Sequence, residues 1–283
     1  MNIKLNDWIR YLRDLGRSEN TLRVYRNGVR HLSDHFPEVK PSEFIPRDIL
    51  EWRSHQQSVE KAAPSTINTR LAAVRAFFSW LVGEDSPAKD VSNIRIPKKA
   101  PQALSKKQQR DLLRAVSSHG SKRDIAIIEV LLGTGLRVEK LLSLQIEDVT
   151  IGERSGSVIV REGKGGEFRE VPLPLVTRQA LSGFLSEEHP NPDRPDAFLW
   201  TGQRGPLSDP STIFRLLSKY AFLARMESFG PHVLRHTYAH NYLKENPGDI
   251  RGLADLLGHE DINTTMRYTQ TTIEDLQERV ENL

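Results

Sequence analysis

The 283-residue sequence contains no cysteine, and this absence removes a large part of protein chemistry. Disulfide bonds, thiolate nucleophiles, iron–sulfur clusters and cysteine-based zinc sites are all excluded. A covalent nucleophile in this chain must therefore be an oxygen or a nitrogen atom. The lack of cysteine also fits a reducing compartment, so we expect a cytoplasmic protein.

Long apolar runs are missing as well. No uncharged stretch approaches the roughly 20 residues that a membrane span requires. The N-terminal segment MNIKLNDWIR lacks the apolar core of a signal peptide. We therefore expect no membrane partner.

The glycine-rich and histidine-rich segments do not match the usual cofactor motifs. Six residues separate Gly156 from Gly163, where a phosphate-binding loop has four, and Gly165 stands where that loop requires Ser or Thr. His236 and His240 are spaced for a metal ion, but no third ligand follows at an expected offset. We expect no metal, no nucleotide and no other cofactor.

What remains is the composition of an ordinary globular protein, with 37% hydrophobic and 27% charged residues. The length predicts two domains. Residues 1–105 carry 17 Lys and Arg against 12 Asp and Glu, so the front of the chain is its basic part. This asymmetry favours a polyanionic partner for the N-terminal part, although proteins that bind no nucleic acid often show it too.

Hydrophobic periodicity predicts four helices over residues 1–85, a proline-bearing linker over 86–105 and a mixed unit over 106–283. In the mixed unit, β-branched segments around glycines predict a small antiparallel sheet between two groups of helices. The fold is therefore expected to be mainly α. Its predicted elements are helices at 106–116, 124–132 and 137–144, strands at 149–151, 157–160 and 168–173, and helices from Val176 onward.

The last helix of the N-terminal region has a polar and basic face. Ser65, Asn68, Thr69, Arg70 and Arg75 lie around it, and such a face suits a DNA groove or a row of phosphates. The same pattern is typical of a solvated helix face, and the pattern alone favours that alternative.

Cationic side chains of the second unit stand where an anion can bind. Arg137 follows a Gly-x-Gly turn at a helix start, and Lys164 lies at the tip of a glycine-rich hairpin. Pro231 marks a first helical turn, which places His232 near the positive helix end and Arg235 on the same face. The alternatives are a surface arginine, a turn lysine, and a helix cap beside an ion-paired arginine.

A histidine and a tyrosine follow near the C-terminus. Gly258 ends a leucine-rich helix and leaves His259 in the next turn. On one continuous helix, the nine residues from His259 to Tyr268 would set the two side chains on opposite faces. A break at Gly258 and a restart at Asp261 let them face one site, although packing is the usual role of such a tyrosine.

Taken together, the segments HVLRHTYAH, LLGH and RY resemble the tyrosine site-specific recombinases, the Xer and phage-integrase family, over essentially the whole chain. The resemblance implies a helical core-binding domain over 1–85, a linker over 86–105 and an α+β catalytic domain over 106–283 that ends in an exchange helix. The sequence departs from the family at one place. Where the family usually has Ser-Glu-Leu after the first arginine, this chain has Glu139, Lys140 and Leu141.

The resemblance implies DNA strand exchange by transesterification, without metal or ATP. Tyr268 is then the nucleophile and forms a 3′-phosphotyrosyl link. Lys164 protonates the departing 5′ oxygen, and His232 helps to take the proton from Tyr268 or bonds to a phosphate oxygen. The non-bridging oxygens are bound by the remaining members of the catalytic set, Arg137, Arg235 and His259.

The implied partners are a double-stranded DNA recombination site and three further copies of the chain, as a homotetramer on two sites. Lys98 and Lys99 of the linker would lie near the DNA backbone. The acidic amphipathic stretch 273–280, within the terminal segment 273–283, predicts a helix that docks on a neighbouring protomer, or one that packs on its own domain. Integration, excision and dimer or cointegrate resolution all fit this enzyme. Two other functions stay open: an accessory DNA-binding factor, and a type IB topoisomerase that relaxes DNA without exchanging strands.

Overall fold

The computed structural model describes residues 2–96, 102–161, 168–202, 205–259, 261–266 and 268. The chain divides into two compact units, Met1–Lys98 and Lys99–Leu283, and each has its own hydrophobic core. None of the helices within the described ranges combines the length and apolar character needed to cross a bilayer.

The N-terminal unit is a helical module with an aromatic centre. The Trp8 ring stacks on Tyr25, with centroids 5.6 Å apart, and meets Phe77 edge-on at 5.3 Å. Ser18 caps the second helix by accepting a hydrogen bond from the Thr21 backbone N–H. The helices of this unit are α1 (Asn2–Asp14), α2 (Glu19–His35), α3 (Pro46–Ser58) and α4 (Pro64–Val82).

The chain after α4 folds back onto the same module. Val91 is buried in the aromatic core. The Asn68 side chain donates to the Ile94 carbonyl at 2.9 Å and accepts from the Ile94 N–H at 2.8 Å. Arg75 donates to the Val91 carbonyl. The first part of the predicted linker is therefore held against α4 rather than extended, because α4 satisfies its backbone groups.

The second unit surrounds a small sheet with helices. Its core joins apolar side chains of the sheet and the helices, such as Leu131, Val158 and Trp200. Its elements are α5 (Lys106–His119), α6 (Lys122–Thr134), α7 (Val138–Ser143), β1 (Val149–Ile151), β2 (Gly156–Arg161), β3 (Phe168–Pro172), α8 (Leu175–Glu187), β4 (Thr201–Gly202), β5 (Gly205–Pro206), α9 (Pro210–Leu223), α10 (Pro231–Glu245), α11 (Ile250–Leu257) and α12 (Ile262–Met266).

The three longer strands form an antiparallel sheet in the order β1-β2-β3, and β4 pairs with β5 separately. Val158 of β2 is paired with Val149 on one side and Val171 on the other. Val158, Val160 and Val171 are buried, because alternate side chains of each strand face the core. Arg169, two residues before Val171, lies on that same inward face.

Two helices end in glycine turns, and residues of the candidate site follow directly after these turns. Helix α6 ends at Gly135 and α11 at Gly258, both in the left-handed region with φ of +62° and +64°. The prediction that α6 stops at Leu132 is wrong, since the helix continues to Thr134. Gly133 is accommodated inside the helix because it lets α8 approach: an added Cβ would lie 2.4 Å from the Thr177 hydroxyl.

Candidate active site

Arg235 of α10 is the most buried of the described residues in the predicted catalytic set, with 4% of its surface exposed. Its guanidinium donates to the Gly135 carbonyl at 2.7 Å and the Leu257 carbonyl at 2.9 Å. These carbonyls lie at the C-terminal ends of α6 and α11, where helices leave acceptors without internal donors. Arg235 therefore joins three helices at one point.

Burial and then repulsion from Arg137 lower the pKa of Arg235 to about 10, while a hydrogen bond with the Tyr268 side chain acts in the opposite direction. Arg235 consequently keeps its charge at neutral pH but carries it at a cost in solvation. An arriving anion would offset that cost.

Arg137 reaches the same point from the N-terminal end of α7. It precedes the first helical residue of α7, and its Nη1 donates to the Gly258 carbonyl at 3.2 Å. The left-handed turn at Gly135 directs the chain into this position. Arg137 and Arg235 thus meet around the end of α11.

His259 lies directly after that helix end. Its Nε2 is 2.7 Å from Nη2 of Arg235, and its Nδ1 is 2.7 Å from the hydroxyl of the buried Thr265. Because the guanidinium can only donate, Nε2 accepts and the imidazole proton resides on Nδ1. The ring is therefore fixed at both nitrogens.

Tyr268 returns to the site after α12. Its ring is parallel to that of His259, at an interplanar angle of 3° with centroids 6.4 Å apart. Its hydroxyl lies 3.1 Å from Nδ1 of His236. The break at Gly258 thus brings His259 and Tyr268 to one side, as the sequence argument requires.

A cavity of about 640 Å³ opens beside these groups. His232 of α10 lines it together with Arg137 and Arg235, and its ring stacks on that of His236 with centroids 6.5 Å apart. Helix α9 also lines it, with the half-exposed Phe214 and with Arg215. The lining therefore combines three arginines and a histidine with apolar side chains.

Sequence reasoning missed two residues of this site, His236 and Arg169. His236 was considered only as a metal ligand. Arg169 donates from Nε to the Leu256 carbonyl at 3.2 Å, and burial followed by repulsion from Arg137 lowers its pKa to about 10. The alternation of side chains along β3 could have predicted the position of Arg169, because Arg169 lies on the same inward face as the apolar Val171.

The departure from the family motif also lies here. Glu139 lines the cavity. Lys140 donates to the Arg161 carbonyl at 2.6 Å and so joins α7 to the end of β2. Burial first, and then Arg169 and Arg137, lower the pKa of Lys140.

The polar face of α4 has partners within its own unit. Arg70 donates to Gln56 at 2.9 Å and to Glu60 at 3.2 Å, and the Thr69 hydroxyl donates to the Ser65 carbonyl at 2.8 Å. Ser65 and Thr69 are exposed. With Asn68 and Arg75 bound to the segment after α4, much of this face serves the packing of the unit. The predicted positions that lie outside the described residues are Lys98, Lys99, Lys164 and the stretch 273–283.

Comparison with known families matches residues 102–274 to the phage integrase family and residues 5–88 to the phage integrase N-terminal SAM-like domain. The chain belongs to the phage integrase family. Tyrosine recombinase XerA of Thermococcus onnurineus is 32% identical over 99% of this chain and 95% of its own length. Tyrosine recombinase XerC of Thermodesulfovibrio yellowstonii is 32% identical over 93% of this chain and 89% of its own length.

Two solved structures show a similar fold. The crystal structure of XerA recombinase covers 99% of this chain and 98% of its own, at 30% identity and a TM-score of 0.57. The Tn1549 transposon integrase in complex with transposon right end DNA covers 99% of both chains at 20% identity, with a TM-score of 0.74. The predictions of a mainly helical fold with a small antiparallel sheet, and of a tyrosine recombinase, are confirmed.

Proposed function

We propose that this chain cleaves and rejoins DNA at specific sites, with Tyr268 as the nucleophile. The observation that carries the proposal is the convergence of Arg137, Arg235, His259 and Tyr268 around the end of α11. These residues are far apart in sequence and come from four separate segments. Packing alone would not require two arginines and a histidine around a tyrosine.

The chemistry follows from the charges. When the Tyr268 oxygen attacks phosphorus, negative charge grows on the non-bridging oxygens, and Arg137 and Arg235 can stabilise it. His259 can join them once Nε2 carries a proton, because that nitrogen then donates instead of accepting from Arg235. The hydrogen bonds of the two arginines to backbone carbonyls fix these two donors before the substrate arrives, so they need little reorganisation. His232 faces the same cavity and either accepts the tyrosine proton or bonds to a phosphate oxygen.

The bond to the 5′ oxygen breaks as the tyrosyl ester forms, and we assign Lys164 to protonate that oxygen. The products are a 3′-phosphotyrosyl link and a 5′ hydroxyl. Because the ester preserves the bond energy, a 5′ hydroxyl from a partner strand can reverse the attack and restore the tyrosine. No external energy source enters this balance.

We further propose double-stranded DNA as the partner, bound by a homotetramer on two sites in the cytoplasm. XerH recombinase, similar in fold with a TM-score of 0.76 at 20% identity, has been solved bound to a palindromic difH substrate. In the N-terminal unit the exposed Ser65 and Thr69 are the first candidates for DNA contact. The other proposed contacts are Asn68, Arg70, Arg75, Lys98 and Lys99.

The test begins by selecting duplexes that the Tyr268→Phe variant binds from a random library. Wild-type protein is then given the selected duplex with a nick near its centre, so that the cleaved end diffuses away. We expect a covalent protein–DNA adduct with wild type and none with Tyr268→Phe. Binding without any adduct for wild type would leave an accessory DNA-binding factor. An adduct together with plasmid relaxation but no exchanged strands would indicate a topoisomerase.

The proposed role of the C-terminal stretch has its own test. Removing residues 273–283 should weaken the assembly of four protomers on two duplexes, as measured by mass photometry, and should reduce strand exchange. The full-length chain on the same duplexes is the control. Unchanged assembly and unchanged exchange would assign this stretch to the packing of its own domain.

A further inference from the structure

Helix α10 carries a second histidine, His236, whose ring nitrogen contacts the hydroxyl of the candidate nucleophile. Nδ1 of His236 lies 3.1 Å from the Tyr268 hydroxyl, and the two rings are tilted by 56° with centroids 5.3 Å apart. His232, which the sequence pattern favours, stacks one turn earlier and lines the cavity. The two histidines of α10 therefore occupy different parts of the site.

The Tyr268 side chain lies between groups that hold it on both sides. The His259 ring faces it in parallel, and that ring is itself held by Arg235 and Thr265. On the other side His236 contacts the hydroxyl oxygen. Burial lowers the pKa of Arg235, and the charge of Tyr268 and a hydrogen bond to it act against that burial. Nη2 of Arg235 lies 2.7 Å from the His259 ring that faces Tyr268, so the tyrosine and the guanidinium proposed to bind the phosphate share one site.

Helix α10 supplies both the contact of His236 to Tyr268 and the anchoring of Arg235. Arg235 and His236 are adjacent residues of α10, and Arg235 is anchored to two helix ends. Because this anchoring fixes the rotation of α10 about its axis, the direction of His236 is fixed as well. Any shift of α10 would move the phosphate-binding group and the contact to the nucleophile together.

We propose that His236 is a positioning residue, which holds the Tyr268 hydroxyl beside Arg235 through Nδ1 so that the oxygen is directed at the bound phosphate. This inference rests on the proposed function of Tyr268. The hydrogen bond restricts rotation of the tyrosine side chain and keeps its oxygen within reach of phosphorus. In-line displacement depends steeply on such placement, since a shift of about 1 Å can cost about 10²-fold in rate.

The test uses two neutral amides that differ in reach. In His236→Asn, an amide group stands close to the position of Nδ1, whereas in His236→Gln it stands near that of Nε2. His236→Ala removes the contact altogether. The first-order rate of covalent adduct formation is measured at saturating nicked duplex, together with the dissociation constant for the intact duplex and the thermal midpoint of each variant.

We expect His236→Asn to stay within about threefold of wild type, and His236→Gln and His236→Ala to lose about 10²-fold in the rate constant. DNA affinity should be the same for all four proteins, because the contact acts on the nucleophile and not on the phosphate. A comparison of Asn with Gln remains informative even if the alanine variant is unstable. His119→Asn is the matched control, since Nδ1 of that exposed histidine contacts only a carbonyl of its own helix among the described residues.

Equal rates for the Asn, Gln and Ala variants, whether all high or all low, would overturn the positioning role. So would a loss that is explained entirely by weaker DNA binding. In each of these cases a wild-type adduct would leave the proposed function intact. If wild type binds the duplex and forms no adduct, the proposed function fails first.

Discussion

Both units bring basic side chains from several helices to one place, but they balance the charge differently. In the N-terminal unit, Glu60 lies 3.2 Å from Nε2 of His31, 3.3 Å from Nδ1 of His55 and 3.2 Å from Nη1 of Arg70. Burial raises the pKa of Glu60, but the charges and hydrogen bonds of His31 and Arg70 outweigh it, so the net pKa is lowered. A single carboxylate therefore neutralises the cluster and ties three helices together.

In the described part of the candidate active site, Glu139 lines the cavity, but no carboxylate takes the place that Glu60 has in the N-terminal cluster. Within the described ranges, neither Arg137 nor Arg235 forms an ion pair with a carboxylate, and both donate to backbone carbonyls instead. Their mutual repulsion contributes to the lowered pKa of Arg235. The carbonyls orient the guanidinium groups without cancelling their charge.

The difference separates a structural cluster from a site prepared for a substrate. Where the chain supplies its own carboxylate, basic residues contribute to the stability of the fold. Where it supplies only neutral acceptors, the positive charge stays available to an external anion, and the cost of burying it is recovered when that anion binds. The same residue type, arginine, therefore has opposite uses in the two units.

The largest expected effect comes from removing an arginine in each unit. Arg137→Ala should lower the rate of adduct formation at saturating nicked duplex by about 10²–10³-fold, because one donor to the developing charge is lost. Arg70→Ala should leave that rate unchanged at saturating duplex and reduce the stability of the N-terminal unit, because Arg70 pairs with Glu60; any loss of a DNA contact would show only below saturation. Equal losses of rate in the two variants would contradict the comparison.

The glycine that ends α11 provides the next test. In Gly258→Ala, a Cβ would lie 2.2 Å from Nη1 of Arg169, and an L-residue would occupy φ +64°. We expect a loss of about 1–3 kcal/mol from backbone strain, measured by urea unfolding, together with slower cleavage as Arg169 and His259 move.

Gly248→Ala is the matched control for that substitution. Its φ is +85°, but an added Cβ meets nothing within 4 Å. Gly248→Ala should therefore lower the stability measured by urea unfolding, because of its backbone strain, but leave the rate of DNA cleavage unchanged. If both variants cleave at the wild-type rate, the turn at Gly258 does not set the geometry of the site.

The carboxylate of the N-terminal cluster is expected to act on stability alone. Glu60→Gln removes the charge that pairs with His31, His55 and Arg70, and should lower the stability of the unit by about 1–3 kcal/mol. Hydrogen exchange followed by mass spectrometry, on peptides from α2 and α3 of the full chain, measures this locally. Adduct formation at saturating duplex serves as the control and should be unchanged.

The smallest effect concerns pH. Burial and the charge of Arg70 lower the pKa of His31 below 6.5, and its Nδ1 accepts a hydrogen bond from Trp52 that a protonated ring cannot accept. The unfolded chain then binds more protons just below pH 6.5, so stability falls as pH is lowered through that window. Between about pH 7 and about pH 5 this loss should be smaller than the loss caused by Glu60→Gln.

His31→Asn is the variant that isolates this effect. The Asn side chain keeps an acceptor for the Trp52 N–H but does not bind a proton in this pH range. The protection of α2 against hydrogen exchange should therefore depend less on pH in the variant than in the wild type. A wild-type unit that gains stability on acidification through this window would show that the sign is wrong.

Much of the architecture could be predicted from local sequence, because its causes are local. Ser18 and Ser105 cap their helices, and alternating valines define β2 and its inward face. The predicted end of α6 at Leu132 is wrong for a tertiary reason: the helix continues through Gly133, where the close approach of α8 leaves no space for a side chain. The order of motifs was also enough to identify the family.

The sequence by itself determined the chemical inventory: an oxygen nucleophile in a cysteine-free chain, cations in a recognisable order, and a helix break at Gly258. Only the tertiary structure decided which histidine meets Tyr268 and which strand residue joins the arginines. His232 and His236 lie on one helix and have similar local patterns, so no local signal separates them. Their roles diverge because α12 returns the tyrosine to one of them, and that contact spans 32 residues of chain.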